Sequence, residues 1–246
     1  MNEQVERDVM EYDVLIIGGG PSGLSSAIKV KQLASAEGKE VSVCVLEKGS
    51  EIGAHILSGN VFEPTALNEL IPDWKEKEAP LNSPATKDIV KFMISENSSI
   101  NIPFPSFLIP TFNNHGNYVM SLANFTRWLA TQAESLGVEI FPGFTAAEVI
   151  FEENVVKGVL TGEMGISKDG EKKPSYQPSM ELRGKYTVFA EGCRGHLGKQ
   201  LIKKFNLDEN RDPQHYGIGF KEIWDISPED HKEGTVMHTM GWPSNG

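Results

Sequence analysis

Two clusters in this sequence have residue types and spacing that could do chemistry. The first is Gly18, Gly20 and Gly23, at G-x-G-x-x-G spacing, with Glu47 further along. Gly18 lets the chain turn sharply, Gly20 lacks a side chain that would hold a pyrophosphate away, and Gly23 lets a helix pack closely against the preceding strand. A carboxylate at Glu47 is placed to accept hydrogen bonds from the two hydroxyls of an adenosine ribose. The second cluster is Glu191-Gly192-Cys193-Arg194-Gly195-His196-Leu197-Gly198. Its glycines let the backbone approach a bound cofactor, and its acid can hold a ribityl hydroxyl. Downstream of a dinucleotide motif, this pairing favours FAD over NAD.

Positioning these residues requires a βαβ unit. Val14 to Ile17 is an apolar, β-branched run of buried-strand type, Ser22 to Ala36 reads as a helix, and Val41 to Leu46 reads as a second strand ending on Glu47. The helix directs its unsatisfied amides and positive end at the phosphates. Glu47 comes later than the roughly 20 residues usual after the glycines. A lengthened helix end and turn over Ala34 to Lys39 accounts for the delay. Glu181 to Ala190 is a strand leading into the second cluster, and Leu197 to Phe205 is a helix whose amides can also face a pyrophosphate. Ser58 and Gly59 lie in a glycine-rich stretch, Gly49 to Gly59, that reads equally as cofactor contact and as surface loop.

The remaining chain supplies further strands and helices. Glu63 to Leu70 is a short helix with Pro64 at its first position, and Pro80 to Asp88 is turn-rich. Ile89 to Ile94 and Ile100 to Ile102 are strands around a polar turn. Phe104, Phe107, Leu108 and Ile109 lie among three prolines between Pro103 and Pro110, on backbone that is neither helix nor central strand. These apolar groups are either a core plug or an exposed patch that touches lipid or a lipid-soluble substrate. Leu122 to Leu136 is an amphipathic helix closed by Gly137. Val138 to Phe141 is a strand, and Ala147 to Phe151 with Val155 to Leu160 form a hairpin. Ser167 to Ser179 is a polar hairpin tip, and Tyr216 to Trp224 and Thr235 to Met240 read as strands. The fold class is therefore α/β, a Rossmann-like FAD/NAD(P)-binding fold with an interleaved, incomplete antiparallel β-sheet substrate domain. The cofactor domain takes 10–60, 117–165 and 178–208, and the substrate domain takes 61–116 and 209–246.

Composition narrows the function. With 246 residues and a net charge of -11, the chain is a poor fit to a general nucleic-acid binder or to electrostatic docking on anionic lipid. Its two cysteines, Cys44 and Cys193, are far apart in sequence and offer no C-x-x-C for a dithiol centre or a metal cluster. Neither a spanning apolar run nor a targeting segment is present. Gly162 to Gly165 and Gly217 to Phe220 do not repeat the dinucleotide fingerprint. A protein electron donor therefore fits better than a nicotinamide, with a nicotinamide-only Rossmann protein as the alternative at cofactor level.

The stretches YDVLIIGGGPSGL, SGNVFEP with ELIPDW, NNHGNYV, GVEIFPGF, VFAEGCRGHL and YGIGFKEIW resemble the N-terminal portion of the electron transfer flavoprotein–ubiquinone oxidoreductases. The resemblance implies one FAD in a fold related to the p-hydroxybenzoate hydroxylase and geranylgeranyl reductase type. It implies transfer of electrons from reduced electron transfer flavoprotein to ubiquinone, the activity of an electron-transferring-flavoprotein dehydrogenase. It also implies monotopic contact with a bacterial or mitochondrial inner membrane, through Phe104, Phe107, Leu108 and Ile109. By position, the candidate cofactor-binding residues are Gly18, Gly20, Pro21, Ser22, Gly23, Glu47, Lys48, Ser58, Gly59, Arg127, Ala146, Glu191 and Gly192. Arg127 reads as a phosphate contact or as a solvated arginine. No catalytic residue and no metal ligand is assigned, because outer-sphere electron transfer requires no acid–base pair. The family's full chain carries a four-cysteine [4Fe–4S] domain whose ligands this sequence lacks, so the expectation is a truncated chain without the cluster. The rival readings are a geranylgeranyl-reductase-like or aromatic-hydroxylase-like flavoenzyme, and an FAD-binding fragment without turnover.

Overall fold

The computed structural model of the chain describes residues 7–57, 59–103 and 112–243. The first elements in chain order are β1 (Val9–Ile17), α1 (Pro21–Ala36), β2 (Val43–Glu47), β3 (Asn60–Phe62), α2 (Thr65–Leu70) and β4 (Ser83–Pro84). Next come β5 (Lys87–Ser95), β6 (Ser98–Asn101), β7 (Tyr118–Met120), α3 (Leu122–Ser135), β8 (Glu139–Pro142) and β9 (Ala146–Glu152). The last are β10 (Val155–Thr161), β11 (Met164–Ile166), β12 (Lys172–Gln177), β13 (Glu181–Phe189), α4 (His196–Phe205) and β14 (Thr235–Gly241). They divide into two compact units, one of Met1–Ile56 with Thr126–Gly217 and one of Leu57–Phe125 with Ile218–Gly246.

The first unit is built on a six-stranded sheet of order β8-β2-β1-β13-β10-β9. β8, β2, β1 and β13 run parallel, and β10 and β9 complete it antiparallel. This is an α/β, Rossmann-like arrangement. The second half of β1 is apolar without alternation because a central parallel strand is covered on both faces. Leu15 and Ile16 are fully buried, and each such side chain contributes about 1.5–3 kcal/mol of hydrophobic stabilisation. Cys44, Val159, Leu182 and Leu197 share one core cluster with Leu15.

Turn chemistry sets the ends of the helices. α1 begins on Pro21, whose missing N–H costs nothing in a first turn. Gly38 stops it in the left-handed region, and the Lys39 amide closes back on the Ala34 carbonyl at 2.9 Å. That accounts for the extra residues before β2. Gly137 ends α3 in the same way, with the Val138 amide donating to Ala133 at 3.1 Å.

The second unit holds two three-stranded sheets, β14-β5-β6 and β3-β7-β4. β3-β7-β4 and the β5–β6 pair are antiparallel, whereas β14 runs parallel to β5. Its core includes Leu67, Ile71, Trp74, Val90 and Met120. The Trp74 indole N–H donates to Asn68 Oδ1 at 2.7 Å, and its ring meets Tyr118 edge-on.

One expected strand does not form. Tyr216 to Trp224 joins no ladder, and Ile218, Phe220 and Ile223 are 91, 95 and 85 % exposed. Alternating apolar residues favour extended backbone, but a strand also needs a neighbouring edge to satisfy its amides. No described residue supplies that edge. Phe104, Phe107, Leu108 and Ile109 lie outside the described residues, as does Ser58. Among the described residues no helix is long and apolar enough to cross a membrane, and no His, Cys, Asp or Glu group could hold a metal ion.

Candidate functional site

The C-terminal ends of β2, β1 and β13 lie side by side, and ligands in parallel α/β sheets bind at that end of the strands. At the end of β1 the chain is locked on both sides. The Gly18 amide donates to Leu46 O at 2.8 Å, and the Ala190 amide donates to Ile17 O at 2.8 Å. Gly18 sits at φ +112, and a Cβ there would lie 2.3 Å from the Ala190 carbonyl oxygen. A Cβ on Gly23 would lie 2.0 Å from Gly18 O. Both glycines are required by close backbone approach. Gly20 differs: a Cβ there would meet nothing within 4 Å, so this position faces open space. The α1 amides of the first turn have no intrahelical acceptors, by the geometry of a helix start. With Pro21 and Ser22 in that turn, an open Gly20 and a positive helix end, the loop is shaped for a phosphate group.

Glu47 reaches this loop. Its Oε2 accepts the Gly19 amide at 2.9 Å and its Oε1 accepts the Gly49 amide at 2.7 Å. The carboxylate therefore ties the turn after β1 to the turn after β2, leaving each oxygen a further lone pair for an incoming hydroxyl. Gly49 is anchored again where its carbonyl accepts the Gly143 amide at 2.7 Å. Lys48 is exposed beside it. Gly19 and Gly49 are not among the residues that the fingerprint singles out. Their signal was a run of three glycines where the fingerprint needs two, and a glycine two places beyond the acid.

Glu191 is engaged by the start of the helix that follows it. Its Oε2 accepts the Gly198 amide at 2.8 Å, its Oε1 accepts the Leu197 amide at 3.2 Å, and His196 Nδ1 lies 3.4 Å from Oε1. The acid caps α4, and the amides expected to face a pyrophosphate are already taken by it. A carboxylate at a helix start is favoured by charge as well as by hydrogen bonding. Gly192 follows at φ +81 and is exposed.

The other candidates scatter. Arg127 pairs with Glu51 at 3.2 Å on the surface of the first unit, an exposed pairing of small energetic weight. Ala146 is buried in the first unit's core with Tyr12, Leu15 and Val159, so its methyl group serves packing. Gly59, at φ +82, belongs to the second unit, where its carbonyl accepts from Lys221 Nζ. The cysteines are dissimilar: Cys44 is buried and Cys193 is exposed. Burial, with the nearby Glu139 charge, pushes the Cys44 thiol up to about 12, so it stays protonated and inert.

Residues 16–71 match a family described as an NAD(P)-binding Rossmann-like domain, and residues 216–246 match one described as ETF-QO, ubiquinone-binding. The chain is 60% identical over 244 residues to the electron transfer flavoprotein-ubiquinone oxidoreductase of Pseudomonas aeruginosa, covering 98% of this chain and 44% of that protein. It is 50% identical over 240 residues to the mitochondrial protein of that name from Homo sapiens, covering 97% of this chain and 38% of that protein. The chain thus spans about two fifths of the length of these relatives. Among solved structures it resembles a flavin-dependent brominase, with a TM-score of 0.52 at 17% identity over 80% of this chain and 41% of that one. It also resembles a geranylgeranyl bacteriochlorophyll reductase-like protein from Thermoplasma acidophilum, with a TM-score of 0.50 at 22% identity over 74% of this chain and 39% of that one. At such identities these two likenesses speak to the fold alone.

Proposed function

We propose, from the premise that this chain is a partial segment of the electron transfer flavoprotein–ubiquinone oxidoreductase family, that it is the FAD-binding part of such an oxidoreductase. The protein it represents passes electrons from reduced electron transfer flavoprotein to ubiquinone. The observation that carries the reading is 60% identity across nearly the whole chain to a protein of that name.

The residues present fit FAD. Gly20 leaves space where a pyrophosphate needs it, Pro21, Ser22 and Gly23 open the helix whose amides face that space, and Glu47 offers lone pairs for the adenosine ribose. Bound there, FAD supplies the electron-carrying chemistry. The chain's own part is to hold the cofactor and keep the loops after β1, β2 and β13 fixed before it arrives. Glu47 does this for two of those loops, and Glu191 fixes the third by capping α4. The first unit is the cofactor-binding unit on this reading. The second, with the stretch matching a ubiquinone-binding family, carries acceptor contacts. Membrane contact through Phe104, Phe107, Leu108 and Ile109, and a [4Fe–4S] centre held elsewhere in the longer protein, belong to the same proposal.

Purification followed by visible absorption spectroscopy tests it. The chain is expected to carry flavin bands or to acquire them on reconstitution with FAD. A colourless protein that cannot be reconstituted refutes the assignment. In the longer protein, reduced electron transfer flavoprotein is expected to drive reduction of a ubiquinone analogue, and bound FAD without that turnover refutes the acceptor half.

A further inference from the structure

α4 carries a feature that the FAD reading leaves unused. The chain has a net charge of -11, yet from Gly192 to Leu207 it contains no acid and four cations, Arg194, Lys199, Lys203 and Lys204. Glu191, just before this stretch, is committed to the helix start, where it accepts the Leu197 and Gly198 amides.

The helix is oriented by its apolar side. Leu197 is fully buried, Leu201 packs against the same core cluster, and the Phe205 ring meets Phe151 of β9 with centroids 6.1 Å apart. Lys204 borders this side, its Nζ 4.5 Å from the centroid of the Phe151 ring. At about 100° per residue, Lys199 and Lys203 fall on the opposite side of the helix, one turn apart. Both are exposed, and neither forms an ion pair among the described residues. Arg194 precedes the helix, also exposed, with its guanidinium over the Tyr216 ring at 4.7 Å. The acids of β9 face away: alternation puts Glu148 and Glu152 on the side opposite Val149 and Phe151, and Glu152 pairs with Arg183 at 2.7 Å. Asp208 and Glu209 come only after the helix has ended, and the Arg211 amide closes that turn on the Asp208 carbonyl.

A cationic ridge on an anionic body selects its occupant by charge. An acidic protein is repelled by the chain as a whole and attracted at this ridge, which fixes its orientation of approach. A lipid surface fits less well, because an interfacial helix needs a free apolar face and α4 spends its own on the core. Its place in the fold favours a redox partner, since such encounters use small, charge-steered contacts. α4 follows directly on β13, whose end is bonded to β1 through the Ala190 amide and the Ile17 carbonyl. A protein seated on α4 therefore stands next to the loops assigned to FAD.

We propose that the Lys199 and Lys203 ridge of α4, with Arg194, is the docking surface for an acidic face of the protein electron donor. The inference rests on the donor reading above and adds its place of contact. The lysines supply steering and orientation, and the apolar side of α4 holds them rigidly on the cofactor-binding unit.

Electron transfer flavoprotein passed over the immobilised, FAD-loaded chain at rising salt tests the assignment, with flavin retention and thermal melts followed on the same preparations. The association rate is expected to fall as salt screens the ridge. Lys199→Glu combined with Lys203→Glu is expected to lower it about tenfold at low salt and to converge on the parent at high salt. Lys199→Gln with Lys203→Gln, which places no acid near the helix C-terminus, is expected to lower it by a smaller factor in the same direction. Lys168→Glu with Lys173→Glu makes the same change of net charge on the exposed β11–β12 hairpin and is expected to alter the rate far less. Equal losses from the ridge and hairpin reversals, or no loss from either, overturn the ridge and leave the donor reading intact. Lost binding to anionic phosphatidylglycerol vesicles in the ridge variants, with donor association unchanged, overturns it in favour of lipid. A flavin-loaded parent chain that the donor does not associate with at any salt overturns both.

Discussion

Replacing Gly20 and Gly23 by alanine separates two reasons for glycine in one motif. At Gly20 the backbone lies at φ -79 and ψ 178, a conformation any residue adopts, and an added methyl meets nothing within 4 Å. Gly20→Ala therefore leaves the fold intact. The entropy it removes from the unfolded chain stabilises by about 0.4–1 kcal/mol, which is of the same order as the roughly 1 kcal/mol lost by exchanging glycine for alanine at an N-cap. The methyl does occupy the space we assign to the pyrophosphate. Forcing a methyl group into a fitted contact costs about 1–3 kcal/mol, or roughly 5- to 150-fold in affinity. Gly23→Ala has the opposite profile. Its methyl would sit 2.0 Å from Gly18 O and 3.2 Å from Ile16 Cγ2, so α1 must move off β1 before any ligand arrives.

The assay is a thermal melt of each apoprotein alongside FAD titration. Gly20→Ala is expected to melt within a few degrees of the parent and bind FAD at least fivefold more weakly. Gly23→Ala is expected to melt well below the parent. Undiminished FAD affinity in Gly20→Ala would refute the placement of the pyrophosphate, and an unchanged melt for Gly23→Ala would refute the packing argument.

Removal of the α4 cap by Glu191→Ala is expected to cost about 1–3 kcal/mol, because the Leu197 and Gly198 amides lose a charged acceptor, read as a lower denaturation midpoint. With burial holding the Cys44 thiol up at about 12, a thiol reagent near pH 8 should label Cys193 alone in the native chain and both cysteines in denaturant; native labelling of Cys44 refutes the burial. The carboxyl of Asp13 is held down to about 2 by hydrogen bonds from Lys185 and Ser42. Its folded value lies below its unfolded one, so its stabilisation is complete above about pH 4 and fades as pH falls toward about 2. Asp13→Asn should therefore flatten the acid-induced loss of stability in that window, and an unaltered acid profile refutes the pairing.

The parts of this fold legible in sequence are those whose cause is local. β1, α1 and β2 are specified by an unbroken apolar run, a proline at a helix start and glycines at fixed offsets, so their positions fell within a few residues of those observed. The hairpin of β9 and β10 was equally plain, from alternation around Glu152-Glu153-Asn154. What the sequence could not supply was partnership. Alternation over Tyr216 to Trp224 matches a strand as well as β14 does, yet only β14 has an edge to pair with among the described residues. The parallel pairing of β14 with β5 joins segments distant in the chain, and no local signal encodes its direction. For Glu191 the residue type and place were readable, while its bonds to the amides of α4 were not.

Those bonds bear on how the loops at this sheet end are held. β2 and β13 flank β1; β2 ends on Glu47, Glu191 follows the end of β13, and both oxygens of each glutamate are engaged by backbone amides. Glycine-rich loops are the most costly backbone to order, and a loop ordered only by its ligand subtracts that cost from affinity. Glu47 and Glu191 cover the cost within the folded chain, where the amides of Gly19, Gly49, Leu197 and Gly198 would otherwise rely on water. Glu47 keeps lone pairs for an incoming sugar, so its two duties are compatible. Replacing it with glutamine keeps one acceptor oxygen and sets an NH₂ donor against one glycine amide. Glu47→Gln should therefore loosen one of the two glycine turns as well as weaken the sugar contact, which makes its loss of FAD affinity larger than that of a mutation touching the ribose alone.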